Sequence, residues 1–399
     1  MERSQERNGG EGVAGREPGG EGLRLRREIG LWSAVSLMAG CMIGSGVFMS
    51  PQGVLVYMGS PGASLMVWAG CGLLAMMGAL CYAELSALVP KSGGEYAYIL
   101  QIFGSLPAFL VIYTFVLLVR PAAIAAISLS FAEYAVTPFY PGCSLMPQAV
   151  LKGVAASCIL LLTLVNCWSS RLATMLVNVC AVAKVFSLLV IVVGGAVVLG
   201  QGRGHTETFL LAFHNTTQQA GRIGMAFYQG MWSFDGWNNV NYVVEELKNP
   251  KPQLLSMVHV HRLTPTPALM FTTAVALVLV IPGSFSTIVN FLSFLGWITY
   301  GTTIGCLLYL RIKKKNLPRP YKVPTIIPVI MLLASLYLVL APIIDHPQIE
   351  FLYIFLFLLS GIPVYFLFVY FHCQPRCLQM ATLYLQLLLE VAPTTKNVD

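Results

Sequence analysis

Charge is what this sequence has least of. Only 10% of its 399 residues are Asp, Glu, Lys or Arg, against about 25% in soluble domains, while 56% are hydrophobic and the mean hydropathy is +0.73. That shortage excludes a water-soluble protein, because single hydrophobic cores stop growing at about 250 to 300 residues, whereas a bundle of membrane spans exposes its excess to lipid. The signatures of enzymes are missing too. No paired carboxylates, metal-ligand spacing or nucleophile motif occurs, so neither an enzyme nor a metal nor a cofactor is expected, and no nucleic-acid partner. The six histidines, His259 and His261 among them, read as solvated or structural. Residues 1–28 hold no apolar run of the signal-peptide kind. Gly-rich and charged, they are expected to form a disordered cytosolic tail.

Long apolar runs are what the chain has instead. At about 20 residues per crossing, spans fall near 31–56, 62–89, 103–135, 148–168, 172–199, 222–244, 266–282, 287–310, 324–344 and 350–372. The fold class expected is an all-α polytopic membrane protein of about ten spans. The loop Arg311 to Lys322 carries six cations and no anion, which marks it as cytosolic; parity then places both termini inside, in keeping with Arg24, Arg26 and Arg27. The net charge of +7 reads as bias towards the inner leaflet.

Most of the ten cysteines lie in apolar runs and read as packing residues. Cys373 and Cys377 flank the end of the last span, where reversible acylation and an inert thiol are both open readings. Cys143, in the outer loop between the third and fourth spans, is free to pair where disulfides persist. Asn215-Thr216-Thr217 is a glycosylation acceptor pattern on the next outer loop.

Two spans contain residues that a lipid-facing helix should avoid. In hydrocarbon an unpaired N–H or C=O costs several kcal/mol, so irregular backbone survives only where it lines a cavity or is buried in protein. Ile43-Gly44-Ser45-Gly46 breaks the first span and would free backbone donors for an anion such as a carboxylate; close packing by small residues is the alternative. The sixth span holds Asp235 and Gly236 in "GMWSFDGWNNVNYVVEE". An acid there costs about 2.5 to 3.5 kcal/mol on insertion and faces a pathway or a partner. Two interrupted helices opening successive halves of a chain point to an inverted-repeat transporter with its substrate held between them. Lys184, alone in the apolar fifth span, needs a partner or a route to water.

The stretches "GSGVFMSP", "CYAELSALVPKSGGEYAYI", "VLLVRPAAIAAISLSFAEY", "FDGWNNVNYVVEELKNP" and Arg319 to Pro324 together resemble the light subunits of heteromeric amino-acid transporters, in the amino acid-polyamine-organocation superfamily. The cystine and dibasic light chains and their aromatic-preferring relatives are the most similar, from about Arg26 to the C-terminus. The resemblance implies that Ile43, Gly44, Ser45, Gly46 and Val47 form an unwound segment holding the substrate α-carboxylate and, through the Ile43 carbonyl, its α-amine. It implies an aromatic gate at Trp232, a backbone lining at Ser233 and a carboxylate for cationic side chains at Asp235, although an acid bonded to local backbone is the other reading. Lys184 resembles the family lysine whose ammonium stands where sodium sits in sodium-coupled relatives, which implies sodium independence. Cys143 matches the cysteine that bonds a single-span heavy-chain glycoprotein at the plasma membrane. The C-terminal segment, 373–399, resembles a light-chain tail with an amphipathic cytosolic helix and a Val-Pro ending, which Ala392 interrupts here.

The resemblance also exposes a loss. Family members have twelve spans, and the seventh and eighth are missing here, the junction falling in "NPKPQLLSMVHVHRLTPTPAL". The organisation expected is a transmembrane domain over 29–372, with repeat one at 29–200, a shortened repeat two at 222–310 and two further spans within 324–372. An even loss preserves the orientation of the remaining helices. Two functions follow: a sodium-independent exchanger of neutral, aromatic or cationic L-amino acids, or a non-transporting membrane protein that still binds the heavy chain.

Overall fold

The computed structural model of the protein describes residues 43–89, 93–140, 147–201, 211–238, 257–259, 266–314, 319, 321–345, 349–371 and 391–393. Twelve α-helices carry the fold among them. They are α1 (Gly46–Met58), α2 (Pro61–Leu88), α3 (Gly94–Phe103), α4 (Ser105–Thr114), α5 (Arg120–Val136), α6 (Gln148–Trp168), α7 (Ser170–Gly200), α8 (Ala220–Ser233), α9 (Thr266–Val280), α10 (Phe285–Lys313), α11 (Ile326–Asp345) and α12 (Ile349–Tyr365). The all-α membrane architecture expected from composition is what these residues adopt. Seven helical stretches are long and apolar enough to cross a membrane, and Pro267–Val280 is a shorter apolar helix. α1 and α8 occupy the places of the two interrupted spans. Strand structure among the described residues is limited to one antiparallel ladder, β1 (Met257–His259) with β2 (Val391–Pro393), in which Val258 faces Ala392.

Local chemistry accounts for the helix ends. Pro61 opens α2 after the extended Ser60, where its missing N–H costs nothing. Ser169, also extended, separates α6 from α7, and its Oγ accepts from the Leu172 amide at 3.4 Å. Ser284 caps α10 in the same way through the Thr287 amide at 3.3 Å. Between α4 and α5 the chain widens into a π-turn, Phe115–Val119, directly before Arg120 and Pro121. Proline cannot donate to the helical ladder, and the wider turn absorbs the mismatch.

α8 is the hub of the bundle, packed by α1, α2, α10 and α11. Its residues Met225, Ala226, Tyr228 and Met231 are buried in the main core with Val54, Cys71, Tyr82, Trp297 and Leu338. α5, α6 and α9 form a second cluster around Ala125, Ala126, Ile159 and Ala276. At one end of the bundle, Arg311 clamps Glu84. Its Nε donates to Glu84 Oε1 at 3.0 Å and its Nη2 binds Oε2 and the Val323 carbonyl, while the Val323 amide donates to Glu84 Oε2 at 2.8 Å. The ion pair, almost wholly buried, ties α2 and α10 to the segment entering α11. α7 differs from its neighbours: none of its described residues is buried inside the protein, and it packs against α6.

Candidate functional site

The two interrupted spans lie antiparallel side by side, so that the start of α1 stands beside the end of α8. Ile43, Gly44 and Ser45 form bends and a turn, half-buried, and α1 starts at Gly46. The Ser45 carbonyl accepts from the Phe48 and Met49 amides at 3.2 and 3.0 Å. The amides of Gly46 and Val47 thus belong to the group that a helix start leaves without an internal acceptor. α8 stops at Ser233 in a tight turn, with the Phe234 amide donating to Met231 O at 3.1 Å and the Asp235 amide to Trp232 O at 3.4 Å. Gly236, at φ 106°, reverses the chain in a conformation that a Cβ would disfavour.

Gly46 makes this junction close. A Cβ at that position would lie 2.7 Å from Ser233 Cα and 2.8 Å from the Trp232 carbonyl oxygen, so a side chain of any size is barred by backbone. The start of α1 carries the positive end of its dipole and the end of α8 the negative end of its own, each equivalent to about half a charge. Such a pair of helix ends is complementary to the carboxylate and ammonium of a zwitterion. The Ser50 and Ser233 hydroxyls, both buried, have no hydrogen-bond partner among the described residues.

Of the residues singled out from sequence, Ile43, Gly44, Ser45, Gly46, Val47, Trp232, Ser233 and Asp235 lie at this junction or in the turn beside it. Trp232 is half-buried and meets Phe285 edge-on, with centroids 6.4 Å apart. Asp235 keeps accessible surface as a residue although protein atoms crowd round its carboxyl, and Arg120, whose guanidinium sits 4.7 Å from the Phe115 ring centroid, lies within its electrostatic reach. Lys184 is placed elsewhere. It is half-buried on α7, which runs along α6, and the structure does not bring it to the start of α1. Cys143, together with Cys41, Cys373 and Cys377, lies outside the described residues. Asn215 is exposed at φ 60°, and the Thr217 amide bonds the Met58 carbonyl at 3.0 Å.

Several polar groups around the site went unread in the sequence. Gln229 Nε2 donates to Asn290 Oδ1 at 2.8 Å and to Ser286 Oγ at 3.2 Å, and Asn290 Nδ2 reaches Tyr57 OH at 3.4 Å; this network stitches α8 to α10 and α1. Tyr134 OH donates to the Phe48 carbonyl at 3.1 Å. Glu84 and Arg311 carried a signal that went unused, since a charge within or bordering an apolar span calls for a partner.

A helix-terminus site between interrupted spans of an all-α bundle defines a membrane permease, and the chain belongs to the amino acid permease family, whose sequence profile matches residues 29–254. It is 37% identical to the mouse (Mus musculus) b(0,+)-type amino acid transporter 1 and 36% identical to the human (Homo sapiens) protein of that name, each over 94% of this chain and 95% of the relative. It is 33% identical to the mouse large neutral amino acids transporter small subunit 2, over 90% of this chain and 84% of the relative. Family membership sets the protein among transporters rather than enzymes. The match to the mouse b(0,+)-type protein spans 465 aligned positions against a chain of 399 residues, so at least 66 positions of the relative face no residue here.

Proposed function

We propose that this protein is a sodium-independent exchanger of neutral, aromatic or cationic L-amino acids. In this reading it acts at the plasma membrane as the light subunit of a heterodimer with a single-span heavy-chain glycoprotein, disulfide-linked through Cys143, with both termini cytosolic. The observation that carries the reading is the contact of Gly46 with Ser233, which sets helix ends of opposite polarity side by side as a free amino acid requires. The amides of Gly46 and Val47 serve the α-carboxylate, and the Ile43 and α8 carbonyls serve the α-amine. Trp232 gates the pocket, Ser233 lines it and Asp235 favours a cationic side chain. Lys184 stands in for sodium, a role that would require α7 to approach α1. Repeat one at 29–200 and a shortened repeat two at 222–310 are followed by two spans within 324–372, in a transmembrane domain over 29–372.

A second reading has its own support. The relative has at least 66 positions that this chain lacks, enough residues for the two spans expected to be missing, and α7 has no buried residue among those described. On that reading the chain binds the heavy chain without transporting. Uptake of labelled arginine, leucine and phenylalanine by cells co-expressing a heavy chain separates the two. Exchange above the heavy-chain-only background supports the transporter; background uptake alongside a reducible high-mass adduct overturns it in favour of the second reading.

A further inference from the structure

The turn that ends α8 is anchored at a point remote in sequence. Asn238, three residues beyond Asp235, donates through Nδ2 to Glu95 Oε1 at 2.8 Å, and Tyr82 OH donates to the same oxygen at 3.1 Å. Glu95 is 3% exposed, and a carboxylate so placed is tolerated only where hydrogen bonds replace its water. It stands at the start of α3, directly after Gly93 and Gly94 at φ 123° and 52°. Trp237, between Asp235 and Asn238 in the same turn, lies edge-on to Tyr82 with centroids 4.9 Å apart and against Tyr300 at 5.1 Å. Polar contacts thus tie the turn to Tyr82 of α2 and to Glu95 at the start of α3, 143 residues before Asn238, while Trp237 seats it against α2 and α10.

We propose that Glu95 is a positioning residue for the amino-acid site, fixing Asn238 and with it the Phe234–Asn238 turn that presents Asp235 and closes the C-terminal end of α8. The role rests on the transporter reading given above. Glu95 does not touch the amino acid. It acts through Asn238, and because its carboxylate accepts from α2 and from the turn on one oxygen, the turn is tied to α2 and to the start of α3.

The donor and acceptor roles can be exchanged, which provides the test. Binding of labelled arginine, leucine and phenylalanine is measured on the purified full chain in complex with its heavy chain, with surface abundance followed in cells. Glu95→Ala removes the acceptor and raises Kd by about tenfold, the scale of one lost hydrogen bond to a charged group, with abundance maintained. Glu95→Gln keeps an oxygen for both donors and leaves Kd within about twofold. Asn238→Asp sets two carboxylates face to face and weakens binding by more than about tenfold. The double variant Glu95→Gln with Asn238→Asp restores binding, since the new amide donates where the old carboxylate accepted. A general structural defect would not be rescued by that exchange. The proposal is overturned if the double variant binds no better than Asn238→Asp alone, or if both Glu95→Ala and Asn238→Asp bind as the unmodified protein does. An unmodified complex that binds none of the three amino acids overturns the transporter reading itself, and this role with it.

Discussion

Replacing Gly46 by alanine places a methyl carbon 2.7 Å from Ser233 Cα, 2.8 Å from the Ser233 nitrogen and 2.8 Å from the Trp232 carbonyl oxygen. Carbon atoms in contact settle at about 3.5 to 4.0 Å, so the start of α1 and the end of α8 must part by roughly 1 Å. No flexible side chain can yield, because every near atom is backbone. Overpacking of this kind costs about 1 to 3 kcal/mol. If the junction bears the strain, the same figure corresponds to a loss of about five- to 150-fold in amino-acid affinity. Gly194→Ala is the control: that glycine lies on the exposed face of α7 with nothing within 4 Å of its added Cβ. Thermal stability of the solubilised complex and binding of labelled amino acid are read on both variants. Gly46→Ala is expected to melt several degrees lower and bind weakly, and Gly194→Ala to behave as the unmodified protein. A Gly46→Ala complex that melts within about 1 °C of the parent and keeps its affinity would refute the close junction, and with it the argument that opposed helix ends form the site.

Arg311→Ala strands the Glu84 carboxylate in the protein interior and is expected to destabilise by about 3 to 5 kcal/mol, whereas Glu84→Gln with Arg311→Met together costs less; a thermal melt that ranks them the other way contradicts the clamp. Asp235→Ala should shift uptake from arginine towards leucine and phenylalanine, and an unchanged preference removes Asp235 from side-chain recognition. Cys143→Ser should abolish the reducible adduct with the heavy chain on non-reducing gels, while persistence of the adduct assigns the bond to another cysteine.

Membrane residence was legible because it depends on local composition: a run of about 20 apolar residues must cross a bilayer whatever its neighbours. The separate helix α3 was not, being too short to stand out as a span. The two interruptions were legible for a related reason. Glycine, serine and aspartate in hydrocarbon carry a cost that only a site or a partner removes, and the structure starts α1 at Gly46 and stops α8 at Ser233 as that cost demands. Pairings were not legible. Glu84 and Arg311 are 227 residues apart and Glu95 and Asn238 are 143 apart, and nothing in either stretch names its partner. Lys184 shows the converse, since a residue pattern that implies a brace for α1 sits on a helix packed along α6.

The sequence by itself determined that this chain lives in a membrane, where its spans fall and where two of them must break, because transfer from water and backbone satisfaction act residue by residue. Only the tertiary structure decided that the two breaks face each other, that Gly46 admits the Trp232–Ser233 backbone to within touching distance, and that a buried carboxylate at Glu95 holds the turn beside Asp235. Those facts depend on which helices pack together, and packing is settled by the shapes of many surfaces at once rather than by any stretch read alone.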